Sequence, residues 1–214
     1  MLTYSGGNGT WAYGHVLREL RALLFIYIAA CFGVALASYF ICWSRRDWLW
    51  LTLGLAFTLG ADYFLILHDQ DRHLIGVTVF CFAHVAYILR ALDGKKPRLY
   101  ALLPFAGAGL AVAALALIWL DGIYVVTALY GTLFIANICL SARHIQRNRV
   151  LVMAGLLLFA ACDICVLLFN LPLYTGAPEG LRMIFPLIWV FYLPSQTLLA
   201  VSAVDFSRVL RRHA

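Results

Sequence analysis

Seven apolar runs of about 20 residues follow one another along this chain, and the charge lies almost wholly between them. They fall at about 22–43, 48–67, 74–92, 99–119, 122–142, 149–169 and 182–204. A helix needs a run of that length to cross roughly 30 Å of hydrocarbon. The expected fold class is therefore all-α, a polytopic membrane helix bundle of about seven transmembrane helices. Composition agrees: 12% of residues are charged, against about a quarter in a soluble domain. No connecting segment is long enough for a second domain. We divide the chain into an N-terminal interfacial segment (1–21), a transmembrane bundle (22–204) and a basic C-terminal tail (205–214). Trp11, Tyr13, Trp43, Trp48 and Trp119 have the placement of interfacial anchors.

The distribution of charge sets the expected topology. With seven spans, 12 of the 16 Lys and Arg residues fall on one side, and Arg18, Arg21, Arg72 and Arg182 fall on the other. The positive-inside rule then places the C-terminus in the cytoplasm and the N-terminus outside. A bacterial inner membrane is the expected location, with the basic loops facing anionic lipids. Nucleic acid is a poor partner for charges set in short juxtamembrane loops. Ala35-Leu36-Ala37 resembles a signal-peptidase site. Cleavage there would invert every later loop and put most of the basic residues outside, so helix one is read as retained.

Ten acidic residues occur, and only Asp62 and Asp163 lie well inside spans. No Lys or Arg is expected beside them within the membrane. A carboxyl at that depth is costly and is a functional-site hypothesis by default. Spans two and six align at an offset of 101 residues, with Gly54 on Gly155, Leu55 on Leu156, Asp62 on Asp163 and Leu67 on Leu168. That suggests a parallel 3+1+3 repeat, an architecture in which sites form between the halves.

Other polar residues are candidates to join the two carboxyls. His84 shares a helical face with Phe80 and Tyr87. Span five contributes Tyr130 and Asn137. The last span contributes Tyr192 and Gln196, with Pro194 between them to loosen the backbone ladder. Asp62, Asp163 and His84 are the candidate catalytic residues. Tyr87, Tyr130, Asn137, Tyr192 and Gln196 are the candidate substrate-binding residues. Each also has a purely structural reading, as an interhelical hydrogen bonder or a packing group.

Several functions are set aside. Both lysines, Lys95 and Lys96, are in a loop, so no retinal Schiff base can form within the spans. One core His and two Asp are a marginal zinc set, and no metal or cofactor is expected. No phosphate-cradling loop, H-E-x-x-H motif or nucleophile elbow is present. Cys162-Asp163-Ile164-Cys165 has C-x-x-C spacing but sits inside a membrane span. All six cysteines fall within spans and are read as small packing residues.

Gly54 to Leu67 (GLAFTLGADYFLIL) followed by Ile75 to Leu92 (IGVTVFCFAHVAYILRAL) resembles the YhhN family of membrane proteins, which includes the lysoplasmalogenases. The carrying motifs are Ala61-Asp62, where the family has Gly-Asp, and Ala83-His84-Val85-Ala86-Tyr87. Ala160-Ala161-Cys162-Asp163, and Tyr192 with Gln196 four on, complete the match over about 48–204. Family members generally have eight spans and a Lys-Pro pair between the first two, and both features are missing here.

The resemblance implies a lysophospholipid substrate, hydrolysis of a vinyl ether at the sn-1 position, and no cofactor. Vinyl ethers yield to acid through an oxocarbenium ion. Two carboxyls suit that chemistry when one holds a proton and the other does not. Asp163 is the expected acid and Asp62 the expected base or cation stabiliser, with His84 the alternative base. The rival expectation is a proton-coupled small transporter or lipid-binding membrane protein that uses the same two aspartates. A seven-helix receptor has little support, because no signalling loop is visible.

Overall fold

The computed structural model describes residues 9–67, 73–92, 109, 122–175 and 183–206. Side chains are described within these ranges except at 9–18 and 171–175. Among the described residues there are six α-helices and no β-strand. They are α1 (Gly9–Ala37), α2 (Arg45–Ile66), α3 (His73–Ala91), α4 (Gly122–His144), α5 (Arg149–Thr175) and α6 (Phe185–Val201).

Five of them hold apolar stretches long enough to cross a membrane, from Glu19–Ile41 in the first to Arg149–Asn170 in the fifth. The sixth, α6, is apolar but shorter. Apolar side chains such as Leu23, Ile26, Phe40, Ile135, Ile164 and Leu167 point outward. In water such a surface would be an aggregation liability, whereas in lipid it is the required one. The chain is thus a multi-pass helical membrane bundle. The expected fourth span, 99–119, lies outside the described residues. Neither the count of seven nor the 3+1+3 arrangement follows from the helices described.

Two boundaries differ from expectation. Helix α1 begins at Gly9, so the segment assigned to the interface is largely helical and continuous with the first span. At the other end Asp205 is buried and its amide bonds the carbonyl of Ile41 at 2.8 Å, so the bundle reaches one residue into the expected tail.

Helix α1 stops at Ala37 and tightens into a 3-10 turn, Ser38–Ile41. The Ser38 hydroxyl donates to the Ala35 carbonyl at 2.7 Å, and the Trp48 indole donates to the same carbonyl at 2.8 Å. These bonds satisfy an orphan acceptor that every helix end leaves. Helix α2 then opens with Asp47 in its first turn, where the helix dipole favours an acid.

The most extensive packing is within two pairs, α2 on α3 and α5 on α6, with α3 on α4 next. Helix α1 contacts both α2 and α6. The seam between α4 and α5 is thinner than any of these. Two glycines permit the paired packing. A Cβ on Gly54 would come within 2.3 Å of the Tyr87 ring, and one on Gly155 within 3.0 Å of Leu199.

Candidate functional site

The two carboxyls are held by different helices in matching ways. The Tyr192 hydroxyl of α6 donates to Asp62 Oδ2 of α2 at 2.5 Å. The Tyr130 hydroxyl of α4 donates to Asp163 Oδ2 of α5 at 2.6 Å. Each aspartate therefore has one tyrosine clamp reaching from a neighbouring helix. The two clamps are joined through a run of ring contacts, from Tyr192 to Phe159, Phe159 to Phe80 and Phe80 to Tyr130. The carboxyls differ in exposure: Asp62 is 4% exposed, whereas Asp163 is only partly buried.

An aromatic core packs against both clamping tyrosines. Phe159 of α5 packs edge-on against Tyr192, with ring centroids 5.4 Å apart, and also meets Phe80, His84 and Phe134. His84 is fully buried and stacks on Phe134 at 4.5 Å. It also lies 5.0 Å from the Tyr130 ring. Phe159 stands at Thr58's place under the 101-residue offset, a position whose central role the apolar pattern of α5 conceals.

His84 is the head of a polar chain. Asn137 Nδ2 lies 3.3 Å from His84 Nδ1, and the Ser141 hydroxyl donates to Asn137 Oδ1 at 3.1 Å. With Asn137 Oδ1 accepting from Ser141, its amide nitrogen is the donor to Nδ1. The His84 proton then sits on Nε2, an atom with no hydrogen-bond partner among the described residues. That tautomer is assigned from the network. Ser141 was not among the expected residues. Its place one helical turn after Asn137 is the signal that finds it.

The remaining expected residues lie around this centre. Tyr87 is buried, with its hydroxyl 3.4 Å from that of Thr58. Thr58 in turn donates to the Gly54 carbonyl. Gln196 is fully buried and bonds Ser195, while its Oε1 has no partner among the described residues. Among the described residues Gln196 bonds neither aspartate, so it lies in the core without joining the carboxyls.

Arg90 falls within the third expected span, 74–92, although charge is expected almost wholly between the spans. It lies in the last turn of α3, 4% exposed. Its Nε and a terminal nitrogen bond the two oxygens of Asp47 at 2.9 and 3.1 Å, and its other terminal nitrogen bonds the Ser202 hydroxyl at 2.7 Å. Only the partner on α2 shows that it is drawn inward.

The basic end of the bundle is tied further. Asn148, at φ 49°, donates to the carbonyls of Ser202 and Val204 at 2.9 and 2.8 Å. Asparagine tolerates this left-handed backbone better than most residues. Cys42 and Val204 form an antiparallel bridge, and Arg147 lies over the Trp43 ring at 4.9 Å. All six cysteines are free, and no cluster of three His, Cys, Asp or Glu side chains occurs among the described residues.

Fold and site together define a multi-pass helical membrane protein with two tyrosine-clamped aspartates on its spans. The chain belongs to the YhhN family, whose model matches residues 22–203. No curated protein and no solved structure matches it.

Proposed function

We propose that the protein is a membrane-embedded hydrolase that cleaves the vinyl ether of lysoplasmalogens. The observation that carries this reading is the two clamped carboxyls, Asp62 with Tyr192 and Asp163 with Tyr130, whose clamps are joined through Phe159 and Phe80. The chemistry needs an acid and a second carboxyl on either side of one reacting group. Asp163, the less buried of the two, delivers a proton to the β-carbon of the vinyl ether. The oxygen-bearing carbon becomes an oxocarbenium ion. Asp62 steadies that cation and removes a proton from the attacking water, and His84 is the alternative base. The hemiacetal then collapses to a fatty aldehyde and a glycerophospho-head group, with one water consumed per turnover. The tyrosines orient the carboxyls, and the apolar chain lies between helices, entering from the lipid.

We place the protein in a bacterial inner membrane with its basic loops in the cytoplasm, following the positive-inside rule. The ties at the basic end favour the hydrolase over an alternating-access transporter. Rocking of the first three spans against the last three would have to break the Arg90–Ser202 bond and the ties of Val204 and Asp205 to the end of the first span in every cycle.

Aldehyde release from lysoplasmenyl-ethanolamine by detergent-purified protein tests the reading. Wild type should be active, and Asp62→Asn and Asp163→Asn should lose activity while keeping a monodisperse elution profile. No aldehyde from well-folded wild type, over several head groups and chain lengths, would move the two aspartates to proton-coupled transport, measured as counterflow in proteoliposomes.

A further inference from the structure

Asp62 lies toward one end of α2, and the other end of that helix opens on a second polar space. A cavity of about 180 Å³ lies at the basic end, where the 3-10 turn after α1 runs into α2. It is lined by Tyr39, Phe40, Cys42, Trp43, Ser44 and Arg45. Phe40 and Arg45 are exposed, so the cavity reaches the surface. A single water needs roughly 10–15 Å³, so there is room here for a polyatomic group.

The polar groups around it are donors. Ser44 is the N-cap residue of α2, yet its hydroxyl makes no capping bond. The first N–H groups of a helix lack partners within it and favour a negative group. The Trp43 indole N–H is buried and has no hydrogen-bond partner among the described residues. Such a donor calls for an acceptor. Arg45 lies over the Tyr39 ring at 3.4 Å and gives one of its five N–H donors to the Tyr39 carbonyl at 2.5 Å. Arg147 lies over the Trp43 ring, so a second guanidinium borders the indole. No acidic side chain lines the cavity. Asp47, in the same turn as Arg45, is held by Arg90. Residues 207–214 contain three arginines and no acid, so charge disfavours that segment as the occupant.

The surroundings select the carrier of the anion. Tyr39 and Phe40 pack edge to face at 5.4 Å, and Phe40 is 76% exposed just where a spanning helix ends. Apolar rings beside cationic donors match a phospholipid, with its phosphate among the donors and its chains along the rings. Basic juxtamembrane groups attract anionic lipids in particular. This lipid is not the one at the carboxyls. From Arg45 to Asp62 is 17 residues of α2, about 26 Å of helix. One glycerol unit, which is all that separates the phosphate of a lysolipid from its sn-1 vinyl ether, does not span that length.

We propose that this cleft binds the phosphate of one anionic phospholipid through the Trp43 indole, the Ser44 hydroxyl and the Arg45 guanidinium. The site stands independently of the hydrolase reading.

Native mass spectrometry of the full chain in detergent micelles tests it. Phosphatidylglycerol should form one tight adduct, at least about tenfold tighter than that of phosphatidylcholine. Arg45→Gln should weaken the adduct at least about tenfold, the loss of a charge-assisted hydrogen bond. Arg149→Gln, at the exposed start of α5, makes the same change in net charge outside the cavity and should bind as wild type. Trp43→Phe keeps an aromatic ring beneath Arg147 but loses the indole N–H. It should weaken the adduct by about fivefold, and it serves if Arg45→Gln does not fold.

Equal binding of the two lipids means a diffuse basic surface and overturns the proposal. So does an equal loss in Arg149→Gln and Arg45→Gln. Displacement of phosphatidylglycerol by ammonium phosphate, at an ionic strength where ammonium acetate leaves it bound, assigns the cleft to free phosphate and overturns the lipid as its occupant.

Discussion

At the scale of single residues, the tyrosine clamps are the most exposed part of the functional reading. Removing the acid or the base of such a pair costs ~10²–10⁴-fold in rate. Asp62→Asn and Asp163→Asn should each fall by that much in aldehyde release. Tyr192→Phe removes only the hydroxyl that donates to Asp62. It should leave the fold intact and lower kcat by about tenfold, the rate equivalent of one hydrogen bond to a charged group. Equal activity in Tyr192→Phe and wild type would show that the clamp does not orient the carboxyl. Tyr130→Phe is the matching test at Asp163, where partial exposure lets water replace the lost donor, so a smaller effect is expected.

At the scale of elements, the helix pairs depend on two glycines that differ in how much space they have. At Gly54 an added Cβ meets a buried aromatic ring at 2.3 Å, so the ring would have to shift. Overpacking of that kind costs about 1–3 kcal/mol. Gly54→Ala should lower the midpoint of thermal unfolding in detergent by several degrees. At Gly155 the contacts are longer, Leu199 Cγ at 3.0 Å and the Ser195 carbonyl oxygen at 3.3 Å. There the better helix propensity of Ala, worth about 1 kcal/mol over Gly, offsets much of the strain. Gly155→Ala should therefore sit near wild type, and a larger loss there than at Gly54 would contradict this packing. Leu51 and Leu55 of α2, and Val152 and Leu156 of α5, are all buried, so each helix turns one apolar stripe inward.

At the scale of the whole molecule, the basic end is a brace that joins α2, α3 and the end of α6. Arg90 carries its charge inside the bundle and depends on Asp47 for compensation. Breaking a buried pair by deleting one partner typically costs ~3–5 kcal/mol, because the other charge stays uncompensated. Asp47 is the more exposed partner, at 27% of its side chain, so the cost of Asp47→Ala lies at or below the low end of that range. Replacing both partners with apolar residues, Asp47→Leu with Arg90→Met, should recover part of the loss. Unfolding midpoints of the two single variants and the double variant would read the coupling directly. Strict additivity would mean that the pair is not coupled.

Much of this was open to reading from the chain itself. Apolar runs of spanning length dictate helices, because hydrocarbon offers no partner to a backbone amide. The charge between them marks the loops. A carboxyl surrounded by leucine and phenylalanine announces itself as costly, so Asp62 and Asp163 stood out before any fold was known. Local periodicity also brought Tyr87 and Asn137 into view. What periodicity cannot supply is which helix meets which, and at what height. That Tyr192 rather than Gln196 reaches Asp62, that Tyr130 takes Asp163, and that Arg90 is drawn in by Asp47 are facts of packing between segments 33 to 130 residues apart. Hydropathy reports only how much of a residue avoids water. In a bundle whose outer face is as apolar as its core, that measure separates lipid from loop but not lipid from protein interior. The site was decided there, by the tertiary structure alone.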